Sequence, residues 1–495
     1  MVLIINLGLK SIRFIVFDSD GEVQYTDSEL VNTRIFGGKV EQDAREWDKH
    51  FNSLLKRLQN HPSGIIDKID KISSTTSSSC NFVIGKDGSI VSKVLMVSDK
   101  RATKIAKDLN DSKFNIQVSS SYSICKAIWF RENNFLNDER LVIGANEWIH
   151  YKLTGKFIID PLNASKFLLN ELEGYRSDIH EYYYINKENL PEIRNVGDVF
   201  DLDKKVKNIF LKECRYIMTT YDAICAVIGS SFGEEGNYCD VSGTVTSVRT
   251  LSRASVLETK GSTVLNQGIK TLNSNIIGHS NNLGGGLLEW LRQSFYPKEG
   301  DRVYPKINST IQKKKNTPVL FIPFLLGERA PFKVDIPHSQ FYGLNRLSKR
   351  SDIALSVMEG AGFVTKSLLE NIEKYHVKAT SLSVSGGLAR MHYVNQIKAN
   401  LLQVPIHVCR NFESTSKGCF ILCLSGTDSK KLWENIKKYV SFSHTIYPEP
   451  SQKSYFQKKY ALYKSISQNK DLINLSIELK NLPDNSIKVR KKRNL

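Results

Sequence analysis

Residues 319–363 read VLFIPFLLGERAPFKVDIPHSQFYGLNRLSKRSDIALSVMEGAGF, and this stretch decides the fold. Its apolar opening has the length and make-up of a buried strand. The chain then enters a loop of Gly327, Glu328, Arg329, Ala330 and Pro331, where glycine and proline interrupt regular structure. A Gly343-Leu344 turn follows, and from 353 to 363 the apolar residues recur at helical spacing. Strand, loop and helix in that order are a unit of an α/β protein.

Working outward, the chain divides into three parts. At 495 residues it is too long for one core, and an allowance of about 150 residues per domain makes two large lobes the simplest reading. Runs at LIINLG, SIRFIVFD, KISSTTSS, NFVIG and SKVLMVS predict strands in the first lobe, residues 1–230, with helices in REWDKHFNSLLKRL and through the 120s to 150s. A second, βα-rich lobe, residues 231–470, runs from YCDVSGTVTSVRT through GGGLLEWLRQSF, the opening stretch, SLSVSGG and NQIKANLLQ. Residues 471–495 are expected to form a basic tail, because KVRKKRNL follows the breaker Pro483-Asp484-Asn485.

Composition excludes several classes. The eight cysteines lie mostly in apolar segments without Cys-x-x-Cys spacing, which argues against zinc or a disulfide framework and for reduced core residues in the cytoplasm. MVLIINLG reads as a strand, not a leader, and no run of about eighteen apolar residues is present to span a membrane. The net charge of +18 is spread along the whole chain with no aromatic-interleaved basic motif. It describes a lysine-rich surface with a pull on anionic substrates, not a nucleic-acid binder.

Binding a nucleotide triphosphate requires backbone N–H groups close to phosphate oxygens, and glycine permits that approach. Two glycine turns stand between strand-like runs: Asn6-Leu7-Gly8-Leu9-Lys10-Ser11-Ile12-Arg13 at the start, and Asp240-Val241-Ser242-Gly243-Thr244 in the second lobe. On its residues alone the first is equally a plain hairpin turn. Gly386 and Gly387 end the run Ser383-Val384-Ser385, while Gly284, Gly285 and Gly286 precede Leu287-Leu288-Glu289; a tight turn accounts for either. Transfer to a hydroxyl also needs a carboxylate to take its proton. Asp222 stands alone among small and apolar residues in MTTYDAICAVIGSSF, where it is either that base or a helix cap.

Together these motifs resemble those of the FGGY carbohydrate kinases. Ser339, Phe341, Gly343, Leu344, Asp352, Ile353, Ser356, Val357, Met358 and Glu359 fill every specified position of that family's second consensus. Lys126, Trp129, Glu132 and Asn133 fit its first consensus, with Ala127 the misfit, and ESTSKGC at 413–419 resembles its C-terminal helix start. The resemblance implies two ribonuclease-H-like, actin-like ATPase lobes with nucleotide and sugar in the cleft between them. It implies ATP and Mg²⁺ as cofactors and a small sugar or polyol as substrate, first of all a pentulose such as xylulose or ribulose, with a homodimer as a further expectation.

The resemblance also assigns roles. Asp222 becomes the catalytic base and a sugar contact; Gly8, Ser11, Arg13, Gly243 and Thr244 hold phosphates; Gly285, Glu289, Gly386 and Gly387 line the adenosine. Ser79, Cys80, Asp99 and Arg101 are expected on the sugar side, and Asn6 near the metal. Two departures stand out in the first turn, where Asn6 replaces the family's aspartate and Leu9 its threonine. An amide oxygen lacks the charge that Mg²⁺ prefers, so a sugar or nucleotide sensor without turnover is the rival expectation. The family's glycerol and xylulose loop motifs are both missing after the third strand, which leaves the sugar open.

Overall fold

The computed structural model describes residues 1–170, 174–210, 213–243, 245–253, 264–281, 283–299, 303–325, 327, 339–410 and 413–482. In the first lobe Val2–Leu7 pairs antiparallel with Ser11–Phe17 and parallel with Lys71–Thr76. Val23–Leu30 lies outside the second strand, and Arg215–Ile217 and Val199–Asp201 complete a six-stranded sheet. The second lobe repeats the plan. Asn237–Ser242 pairs antiparallel with Thr246–Ser252 and parallel with Ser381–Ser385, with Ser274–Asn281 beyond the second strand and Ile406–Cys409 beyond the parallel one. This recurrence is the two-lobed α/β architecture expected from the sequence.

Burial explains the sequence pattern. All six residues of Val2–Leu7 are buried, so the strand reads as an unbroken apolar run instead of alternating. A smaller sheet, Arg34–Phe36, Lys39–Gln42, Val94–Leu95, Asn81–Gly85 and Arg140–Gly144, is joined to the first lobe by the serine-rich turn after Thr76.

The first lobe has two apolar clusters and the second has one, and a fourth cluster belongs to both. In it Ile4 and Phe17 of the first sheet and Cys239 and Leu251 of the second enclose the helices Asp222–Ile228 and Ser414–Ser425. These helices touch at glycines. A Cβ on Gly418 would collide with the carbonyl oxygen of Cys225, and one on Gly229 with that of Ser414. Only hydrogen fits between the two backbones.

In the opening stretch Leu320–Ile322 pairs with Gln340–Tyr342, and the helix covers Arg350–Ile372, longer than the apolar spacing at 353–363 indicates. Its consensus residues are scaffold. Asp352 accepts from the Lys349 N–H at 2.9 Å and from Thr317 Oγ1 at 2.7 Å, while buried Glu359 receives Tyr455 Oη at 2.7 Å and pairs with Lys459. Residues 328–331 and the basic cluster after 482 lie outside the described residues. The stretch read as tail begins as a helix, Lys470–Asn481, where Gln340 Nε2 donates to Ser476 Oγ at 2.5 Å. All eight cysteines are buried and free, and among the described residues no helix is long and apolar enough to cross a membrane.

Candidate active site

Asp222 is the first residue of the helix Asp222–Ile228, with Tyr221 in the cap position, so its carboxylate faces the positive end of the helix. It is half-buried, and Ser77 Oγ donates to its Oδ2 at 2.9 Å. The Ser77 N–H in turn donates to the Leu7 carbonyl at 3.2 Å, which ties the carboxylate to the first glycine turn. Burial raises the pKa of Asp222 above the ordinary carboxylate value, against hydrogen bonds from Ser77 and the Ala223 N–H and the charge of Arg249. A carboxyl raised in this way is a stronger proton acceptor than an exposed one.

The second-lobe turn gathers the glycines expected around a nucleotide. Gly285 N–H, at the start of the helix Gly285–Phe295, donates to the Gly243 carbonyl at 2.7 Å. Gly386, at φ +86°, comes so close that a Cβ there would stand 2.6 Å from the Ser242 carbonyl oxygen. No atom of the described residues lies within 4 Å of a Cβ placed on Gly243 or Gly387, so among these residues both backbones border open space. Behind the turn, fully buried Asp240 accepts from Ser242 Oγ, from Thr365 Oγ1 at 2.8 Å and from Lys398 Nζ at 2.7 Å. Thr244 lies outside the described residues. Glu289 sits one turn into its helix and is engaged by Arg292, Gln293 and Tyr304; the Arg292 hydrogen bonds hold its carboxyl down at about 2.

The first turn is closed by Gly8 N–H donating to the Ser11 carbonyl at 3.0 Å. Asn6 and Arg13 are cross-strand partners, and both reach the other lobe. Asn6 Nδ2 donates to Ser416 Oγ at 3.0 Å, while Arg13 pairs with Glu413, just before the same helix. The Asn6 oxygen lies on the Gly8 side, 3.9 Å from where a Cβ on that glycine would stand. Among the described residues no group of three or more His, Cys, Asp or Glu side chains could hold a metal ion. One neutral amide oxygen suits a magnesium ion carried on nucleotide phosphates, not one bound by protein alone.

On the sugar side the structure redistributes the expected residues. Ser79, at φ +59°, accepts Lys126 Nζ on its carbonyl oxygen. Cys80 belongs to the first lobe's core, where burial pushes its thiol up to about 11. Buried Asp99 and half-buried Arg101 hold each other through Nε at 3.0 Å and Nη2 at 2.7 Å, and Arg101 also pairs with Glu41 at 2.6 Å and lies over Trp129. The hydroxyls that reach the carboxylate's surroundings are Ser77 and Ser78, the latter donating to Asn163 Oδ1 at 2.8 Å. Asn163 is fixed in turn by Asp160, its Nδ2 donating to Oδ2 at 2.7 Å. The sequence offered no signal to separate Ser77 from its two serine neighbours. A cavity beside Tyr175, His180 and Glu192 contains none of the expected site residues.

Two lobes of one plan, a glycine turn in each and a carboxylate tied to the first turn are the parts of a two-lobed phosphotransferase. Models for the N-terminal and C-terminal domains of the FGGY family of carbohydrate kinases match residues 1–218 and 241–426. The chain belongs to this family and is an ATP-dependent carbohydrate kinase. It is 23% identical to the xylulose kinase of Staphylococcus epidermidis, over 95% of this chain and 97% of the relative. Among solved structures, the gluconate kinase of Lactobacillus acidophilus superposes with a TM-score of 0.83 at 20% identity, covering 97% of this chain and 99% of its own. The glycerol kinase of Plasmodium falciparum, solved with ADP, gives 0.79 at 17% identity over 95% and 99% of the two chains.

Proposed function

We propose that the chain transfers the γ-phosphoryl group of ATP to a hydroxyl of a small sugar or polyol, with Asp222 as the general base. The observation that carries this is the half-buried carboxyl of Asp222, raised in pKa by burial and joined through Ser77 to the first glycine turn. The acceptor hydroxyl gives its proton to Asp222 as its oxygen attacks phosphorus, and ADP leaves. Gly8, Gly243 and the hydroxyls of Ser11 and Thr244 hold phosphates, while Gly285, Gly386 and Gly387 leave room for the adenosine. Asn6 would hold Mg²⁺ bound with the nucleotide through its amide oxygen, and the ion would shield phosphate charge there. Among neutral acceptors a pentulose such as xylulose or ribulose comes first, on the strength of the xylulose kinase relatives' names.

Asp222→Asn is the test. It keeps the side chain's shape and the Ser77 contact but cannot take the proton, so kcat falls by roughly 10²- to 10⁴-fold while the ATP dissociation constant changes little. An Asn variant of near-native kcat overturns the role of Asp222. Nucleotide binding without ATP consumption on any sugar, polyol or sugar derivative would make the chain a sensor.

A further inference from the structure

Arg249 is the least expected charge in the molecule. It lies in the strand Thr246–Ser252, is 6% exposed, and makes one side-chain hydrogen bond, from Nη2 to Ser280 Oγ at 3.2 Å. Its buried Nε and Nη1 have no hydrogen-bond partner among the described residues. Room is made for it on the neighbouring strand, where a Cβ on Gly278 would stand 2.5 Å from Arg249 Cγ. A buried guanidinium is ordinarily matched by a carboxylate, because unpaired donors cost free energy in a dry site. No carboxylate among the described residues lies within ion-pair distance of this one.

Its surroundings locate it. Arg249 pairs across the sheet with Cys239 and shares a face with Leu251, and both pack on the helix that begins at Asp222. Lys166 of the first lobe, in the turn Ser165–Phe167, is within reach of the Arg249 charge; its ammonium lies 5.2 Å from the ring centre of Tyr122 and also has no acid partner among the described residues. Burial and then the charge of Arg249 bring the pKa of Lys166 down to about 8, so the two cations repel one another across the gap. Lys166 follows Asn163, which Ser78 holds, and Ser78 is the chain neighbour of the serine that donates to Asp222.

Resting on the kinase reading, we propose that Arg249 and Lys166 form a seat for an anionic group of the acceptor, so that the preferred substrate is a hydroxylated anion, a sugar acid or a sugar phosphate, and not a neutral sugar. A bidentate guanidinium and an ammonium suit a carboxylate or phosphate oxygen pair. The anionic group stays on its seat throughout. A distant hydroxyl of the same molecule forms the new oxygen–phosphorus bond, the bond to the ADP oxygen breaks, and the proton passes to Asp222.

The test compares ATP consumption by the full chain on five- and six-carbon aldonates, on sugar phosphates, and on the matching ketoses and polyols. An aldonate or a sugar phosphate is expected to exceed every neutral acceptor at least tenfold in kcat/KM, and the better arm identifies the anion. Arg249→Met and Lys166→Met should each raise the KM of that acceptor tenfold or more, far beyond their effect on kcat, and Arg249→Lys should restore part of it. A neutral ketose or polyol as the best acceptor overturns the proposal. So do variants that lower kcat and spare the acceptor KM, since the cations would then serve the moving phosphoryl group. Calorimetry without nucleotide separates the two readings. Aldonate or sugar phosphate binding that both Met variants lose, with no turnover on any acceptor, keeps the seat and ends the kinase reading; no binding and no turnover ends the seat.

Discussion

Asp222 owes its basicity to a contest that burial wins: the Ser77 hydroxyl, the Ala223 N–H and the Arg249 charge all favour the ionised form, yet the pKa still ends above the ordinary carboxylate value. The base must be ionised to work, so the acid limb of the kcat–pH profile lies above the usual carboxylate range. Ser77→Ala removes a group that lowers this pKa, so the limb should move to higher pH, with a plateau kcat reduced less than about tenfold. A limb that stays in place, or moves down, would separate Ser77 from the base. Asp222 was legible in the sequence because a lone acid in an apolar run has few reasons to be there. Ser77 was not, since Ser77, Ser78 and Ser79 differ only in where the backbone turns them, and Cys80 beside them joins the core. Asp99 and Arg101 hold each other, and a charged pair of this kind reads alike in sequence whether or not it also meets a sugar.

The helices Asp222–Ile228 and Ser414–Ser425 set the position of the proposed base. Their backbones meet at Gly229 and Gly418, while Asn6 and Arg13 fasten the start of the second helix to the first glycine turn. A side chain at 418 has no void to enter, because the atom in its way is the Cys225 carbonyl oxygen, part of the helix that carries Asp222. Gly418→Val should destabilise the protein by roughly 3 kcal/mol through overpacking, and should lower kcat of the surviving fold by about 10²-fold through displacement of Asp222. Native melting temperature and native kcat together would show that the contact does not position the base. The glycines themselves are visible in the sequence, but which backbone each one faces is a property of the crossing. The strands were readable because burial on both faces leaves an unbroken apolar run. Lys470–Asn481 was not, because a polar helix lying on the surface differs little in composition from a tail.

At the scale of the molecule the duplicated sheets invite a picture of two independent halves, and the apolar packing argues against it. Val2, Ile4, Ile15 and Phe17 turn one face of the first sheet toward Phe420, Ile421 and Leu422, which come late in the chain, while Cys239, Leu251 and Ile276 close the same cluster from the second sheet. Phe420 is fully buried, with its ring centre 4.9 Å from that of Phe17 and 5.1 Å from that of Tyr439. Neither lobe can lose its structure without exposing this shared surface, so the free energy of the cluster couples their unfolding. Calorimetry should therefore record one main transition for the full chain, despite its 495 residues and two sheets. Phe420→Ala, which opens a cavity in the shared cluster, should cost about 3–5 kcal/mol and lower that single transition as a whole. Two resolved transitions in the native protein, only one of them moved by the substitution, would mean that the lobes fold separately and that the cleft is a joint between domains instead of a groove above a common core.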